Sequence, residues 1–166
     1  MPMELITIAT ALHVLAAAVW LTGVFSMAWF ISPAAQKAGP AAGPFMGALA
    51  SGSARRVMTW ASTLTVVFGL WLWALVVEGA PTGTRGLLLS IGAVAGIVAL
   101  GIGHGLQSPT AKRLGAIQAE VDGAPTPEQG AQMGALSGKL ATYGTWMMWA
   151  ILVSLLTMTL GANWVG

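Results

Sequence analysis

Residues Leu5–Ile31 read LITIATALHVLAAAVWLTGVFSMAWFI, with no Asp, Glu, Lys or Arg among them. A hydrocarbon core about 30 Å thick is crossed by about 20 apolar residues in a helix. This run is longer than that, lacks a basic segment in front and continues through Trp20 and Trp29, so it reads as a retained membrane helix rather than a secretory signal. Working outward, three more runs reach spanning length: Val57–Val77, Leu87–Gln107 and Leu140–Ala162. The expectation is an all-α integral membrane protein, with one four-helix transmembrane bundle occupying residues 1–166.

Composition agrees. Only 7% of residues are charged and 56% are hydrophobic, whereas a soluble domain carries about 25% charged residues. The net charge of +2 is too small to point to nucleic acid. There is no cysteine, which removes disulfides, iron–sulfur clusters and thiolate metal sites. Lys37, Arg55 and Arg56 lie between the first and second spans, and Lys112, Arg113 and Lys139 between the third and fourth. Only Arg85 of the seven basic residues lies in the middle connection, beside Glu78. The positive-inside rule therefore places both long connections in the cytoplasm and both termini outside, in a bacterial inner membrane. Trp29, Trp60, Tyr143 and Trp146 then form an inner aromatic belt, with Trp164 at the outer face.

A repeat runs through the chain. Ser32-Pro33-Ala34-Ala35 is echoed by Ser108-Pro109-Thr110-Ala111, Met46-Gly47-Ala48-Leu49 by Met133-Gly134-Ala135-Leu136, and Thr59-Trp60 by Thr145-Trp146. The offsets of 76, 87 and 86 residues keep the same order, which suggests two duplicated hairpins. Hairpins of two spans keep their orientation, so the pseudo-axis lies along the membrane normal. In the first connection Pro33, Gly39, Pro40, Gly43 and Pro44 exclude one regular helix. In the second, Leu114, Ile117 and Val121 recur at helical spacing opposite Lys112, Arg113 and Gln118, so residues 110–121 read as an amphipathic cytoplasmic helix stopped by Asp122-Gly123. Thr126-Pro127-Glu128-Gln129 then reads as a capping box that starts the final helix. Gly92, Gly96, Ala99 and Gly103 line one face of the third span, suited to close helix packing or to a flat cofactor.

The two histidines, His13 and His104, both lie inside hydrophobic runs. An imidazole in lipid needs a partner, a ligand or a polar cavity, so each is a candidate site as well as a candidate structural hydrogen bonder to a neighbouring helix. His13 shares a face with Thr10, Ala17, Trp20 and Met27, about 12 Å below the outer end of its span; His104 lies about 25 Å below the outer end of its own. The two are not equivalent in the repeat either: His104 aligns with Ala28, and His13 with Leu89. One haem gripped symmetrically by both is therefore not expected. Methionine is an alternative axial ligand for haem and a soft ligand for cuprous copper. Met27 and Met58 lie near the level of His104, and Met158 lies near that of His13. No carboxylate falls within a span, and no nucleophile–His–Asp set, phosphate loop or metalloprotease motif is present.

The stretch Leu12-His13-Val14-Leu15-Ala16-Ala17-Ala18-Val19-Trp20-Leu21-Thr22-Gly23 resembles the opening helix of the CopD-like copper-resistance membrane family, with Thr22 in place of a glycine. Pro33-Ala34, Trp60 onward to Phe68-Gly69-Leu70-Trp71, and His104 followed by Pro109 and Arg113-Leu114 extend the likeness over most of the chain. The pattern is also similar to HemJ-type protoporphyrinogen oxidases, four-helix haem-binding membrane proteins, in His13 and in Phe68-Gly69-Leu70-Trp71. Thr84-Arg85-Gly86-Leu87 carries no lysine where that family uses one, which counts against the oxidase activity. What the resemblance implies is a haem or copper site at His13.

Three functions stand open. The first is a b-type haem protein for electron transfer or haem-linked redox chemistry. His13 and His104 would be its ligands, with Met27, Met58 and Trp20 beside the cofactor. The second is a CopD-like copper-handling protein, and the third a non-catalytic subunit of a membrane complex. The expected partners are the bilayer, a redox partner or larger membrane complex, and further copies of the chain.

Overall fold

The computed structural model describes residues 3–76, 83–121 and 123–163. Val77, Glu78, Asp122 and Trp164 lie outside the described residues. Among those described, every regular element is a helix. They are α1 (Met3–Ser26), a π turn (Met27–Ile31), α2 (Ser32–Ala38), a 3₁₀ turn (Gly39–Ala42), α3 (Gly43–Ser51), α4 (Ser53–Val76), α5 (Thr84–Gly101), a second π turn (Ile102–Gln107), α6 (Ser108–Glu120) and α7 (Pro127–Ala162).

Four continuous helical stretches are long and apolar enough to cross a membrane: Met3–Ala38, Ser53–Val76, Thr84–Glu120 and Pro127–Ala162. The 36 residues of α7 reach about 54 Å at 1.5 Å each, well beyond the hydrocarbon core. Its polar first turns therefore extend past the apolar layer. The start of α7 is set by its sequence. The Thr126 hydroxyl accepts from Gln129 N–H at 3.2 Å, the Gln129 side chain accepts from Thr126 N–H at 3.0 Å, and Pro127 occupies the first turn, where its missing N–H costs nothing.

Two helices do not stop where their prolines suggest. Pro33 and Pro109 each sit one residue into a new α-helix, and a π turn ends immediately before each Ser-Pro pair. Proline inside a helix has no N–H to donate and crowds the carbonyl four residues back. A widened turn relieves that crowding, so α1 runs on into α2 and α5 into α6. The real breaks lie further on. Gly39 takes φ of +60° after α2, Gly123 takes φ of +82° beyond α6, and α3 ends at Gly52.

The helices associate as two pairs, α1 along α4 and α5 along α7, with α4 meeting α5 and α6 folding against α7. In the second pair the small-residue face of α5 is filled by α7. A methyl added to Gly92 would fall 2.5 Å from Met158 Cγ and 3.2 Å from the Ser154 carbonyl oxygen. The Ser154 hydroxyl donates to the Gly92 carbonyl oxygen at 2.8 Å, and Ala99 is fully buried. That face is a helix-packing surface with no slot for a flat cofactor. All four spanning stretches contribute to one cluster around Trp20, Val24, Ala61, Ala99, Met147 and Ile151. Nearer the α1 N-terminus, the Trp73 indole N–H donates to the Ser90 hydroxyl at 3.2 Å and ties α4 to α5.

Candidate functional site

His13 lies on α1 where it packs against α4. Its Nδ1 is 2.8 Å from the carbonyl oxygen of Thr65, 52 residues away. A carbonyl only accepts, so Nδ1 carries the proton and donates it. With that proton on Nδ1, the nitrogen left to act as a ligand is Nε2. Among the described residues Nε2 has no hydrogen-bond partner, and no buried side-chain nitrogen or oxygen lacks one, so Nε2 opens onto the molecular surface.

Gly69 makes this seat. A Cβ at that position would come within 2.8 Å of His13 Cε1 and 3.0 Å of Nδ1, but 3.9 Å from Nε2. The Cε1–Nδ1 edge of the ring thus lies against the glycine, and the Nε2 corner points away from it. Ala9, one turn before His13 on the same face, is fully buried, and Thr65 and Gly69 are buried one turn apart on α4. The Thr65 hydroxyl is turned aside by its own bond to the Ala61 carbonyl at 2.7 Å. Backbone and ring together fix the tautomer and orientation of one imidazole.

The other sequence candidates do not gather there. His104 sits in the second π turn on the exposed surface, and Nδ1 reaches only the Leu100 carbonyl of its own helix, at 3.3 Å. No second helix grips it. His13 is 10 residues from the start of α1 and His104 is 20 from the start of α5, about 15 Å and about 30 Å along their axes. Trp20 is buried in the shared cluster about 10 Å further along α1. Met58 packs on that cluster with its sulfur against Gly23. Met27 is 36% exposed in the first π turn. Among the described residues, no three His, Cys, Asp or Glu side chains gather where they could hold a metal ion. Of the candidate donors, only the His13 imidazole is held against a second helix among the described residues.

The sequence allows a hydrogen bond from His13 to a neighbouring helix, and the acceptor is the backbone carbonyl of Thr65 rather than a side chain. In the sequence Gly69 is one glycine of the Phe68-Gly69-Leu70-Trp71 stretch; its fit to the imidazole follows only from the packing of α1 against α4.

Fold and site together define the class: a four-helix multi-pass membrane protein with one imidazole held in a fixed tautomer between two helices. No family model, curated protein or solved structure matches the chain.

Proposed function

We propose that the chain is a small b-type haem protein of a bacterial inner membrane, serving electron transfer or haem-linked redox chemistry, with His13 Nε2 as axial ligand. The observation that carries this reading is the 2.8 Å bond from Nδ1–H to the Thr65 carbonyl, with Nε2 left unpaired and accessible. Ligating histidines almost always donate their other N–H to a carbonyl or carboxylate, which orients the ring and raises its basicity. When bound, a haem supplies a one-electron couple. The protein's part is to hold the ring through Thr65 and Gly69 and to present one neutral nitrogen.

The copper alternative asks for two or three donors around one ion. His13 and His104 belong to different helix pairs, and Met58 is about 10 Å along α4 from Thr65, which favours the single-ligand cofactor. His104 is left as a surface group of the second π turn.

The same reading takes the chain as a duplicated hairpin with both termini outside. Two matches support duplication. A π turn precedes each Ser-Pro pair. Trp60 and Trp146 are both exposed, at 65% and 53%. The orientation rests on the asymmetry of the basic residues.

The test is an absorption spectrum and a pyridine-haemochrome assay on protein purified from haem-replete cells. A Soret band at near one haem per chain is expected, and it is expected to disappear in His13→Ala. A colourless wild-type preparation would overturn the proposal.

A further inference from the structure

A second feature lies along the α1–α4 pair. An open groove of about 680 Å³ runs between these helices. Its α1 wall is Leu12, Leu15, Ala16 and Val19, and its α4 wall is Val57, Trp60, Leu64 and Phe68. One end alone is polar, closed by Ser53 and Arg56. His13 itself is not among the lining residues.

Three observations say what fits it. The walls are apolar along their whole length, which suits a hydrocarbon chain. From Ser53 to Phe68 the groove spans 15 residues of α4, about 22 Å. One leaflet with its headgroup zone measures about 20–22 Å, half of a bilayer about 40–45 Å thick. Finally, the charge at the polar end is uncompensated. Arg56 has no hydrogen bond or ion pair with any described residue, Arg55 stands beside it, and no acidic residue lies in Ser53–Val76. An arginine at the headgroup end of an apolar groove matches a phosphate oxygen pair in charge and in fork geometry.

We infer that this groove binds one anionic phospholipid, its phosphate on Arg56 and Ser53 and one acyl chain laid along Trp60, Leu64 and Phe68. Zwitterionic lipid fills the groove less well, because its ammonium meets the Arg56 guanidinium. One basic residue near the headgroups shifts lipid binding about fivefold.

The experiment is native mass spectrometry of the full chain released from detergent, with phosphatidylglycerol and phosphatidylcholine supplied in equal amounts. One retained phosphatidylglycerol per chain is expected, at about fivefold preference. Arg56→Gln, a change at an exposed side chain, should abolish the preference. Val19→Trp, which fills the groove from an exposed wall position, should lower retention of both lipids and leave any Soret band intact. Arg85→Gln, outside the groove, should change nothing. Equal retention of the two lipids, an unchanged preference in Arg56→Gln, or unchanged retention in Val19→Trp would each overturn the inference.

Discussion

At the residue scale the account turns on Gly69. Alanine is the better helix former by about 1 kcal/mol, so Gly69→Ala should stabilise α4 if nothing opposed it. The His13 ring opposes it, standing 2.8 Å from the incoming methyl. In the wild-type background Gly69→Ala is expected to lower the thermal unfolding temperature in detergent and to broaden or weaken the Soret band. In a His13→Ala background, where the ring is gone, the same substitution should be neutral or stabilising by up to about 1 kcal/mol. That reversal of sign is the signature of direct contact. Equal effects in both backgrounds would mean the ring does not rest on Gly69.

How much of this was legible from sequence follows from the same residues. A histidine in an apolar run is visible because lipid makes it costly, and that singled out His13 and His104 alike. What separates them is which helix each meets and at what height, and one sequence does not encode contacts across 52 residues in a form that can be read directly. His13 finds a carbonyl on α4; His104 bonds back to its own turn. The Thr65 carbonyl was invisible because backbone oxygens carry no sequence signature.

At the element scale the two π turns and the α5–α7 contact make separate predictions. Periodicity and composition revealed all four spans, and the Thr126-Gln129 capping box was legible because its chemistry is local. The first and third spans end at Ser-Pro pairs, with residues 110–121 already legible as helix, and the chain stays helical through both pairs because one widened turn removes the clash that proline would cause. Pro33→Ala and Pro109→Ala should each let the preceding π turn tighten to α. The change would rotate the following segment by about one residue, about 100°. Spin-label distances from α2 or α6 to α4 would report that rotation, and unchanged distances would show that proline does not cause the wide turns. On α5, Gly92→Ala should cost about 1–3 kcal/mol by forcing Met158 and the α7 backbone away. Gly115→Ala, with open space around it in α6, should gain about 0.5–1 kcal/mol. Thermal unfolding of the two variants in one detergent checks the contrast.

At the scale of the whole molecule, the chain does not enclose itself. Its accessible surface is 10233 Å² for 17.0 kDa, against about 7,700 Å² for a compact soluble protein of that mass. The excess comes with extended helices and exposed apolar side chains, such as Trp29, Trp60, Trp146 and Trp149. In water these would form an aggregation-prone surface, and in a bilayer they face lipid and its interfaces. The absence of native cysteine makes the arrangement directly testable. Single cysteines at Lys37 and Lys112 should be shielded from a membrane-impermeant maleimide in intact cells, while one at Arg85 should be labelled. The reverse pattern would invert the proposed orientation, and labelling at only one of the two cytoplasmic positions would break the duplicated-hairpin topology.

These scales meet in one proposal: that His13, held by Thr65 and Gly69, ligates a haem through Nε2, and that His104 does not. The most direct measurement is the Soret absorbance per chain of wild type, His13→Ala and His104→Ala, purified side by side from haem-replete cells. The account predicts a band near one haem per chain in wild type, its loss in His13→Ala and its retention in His104→Ala. No band in wild type, or a band that survives His13→Ala, would contradict it.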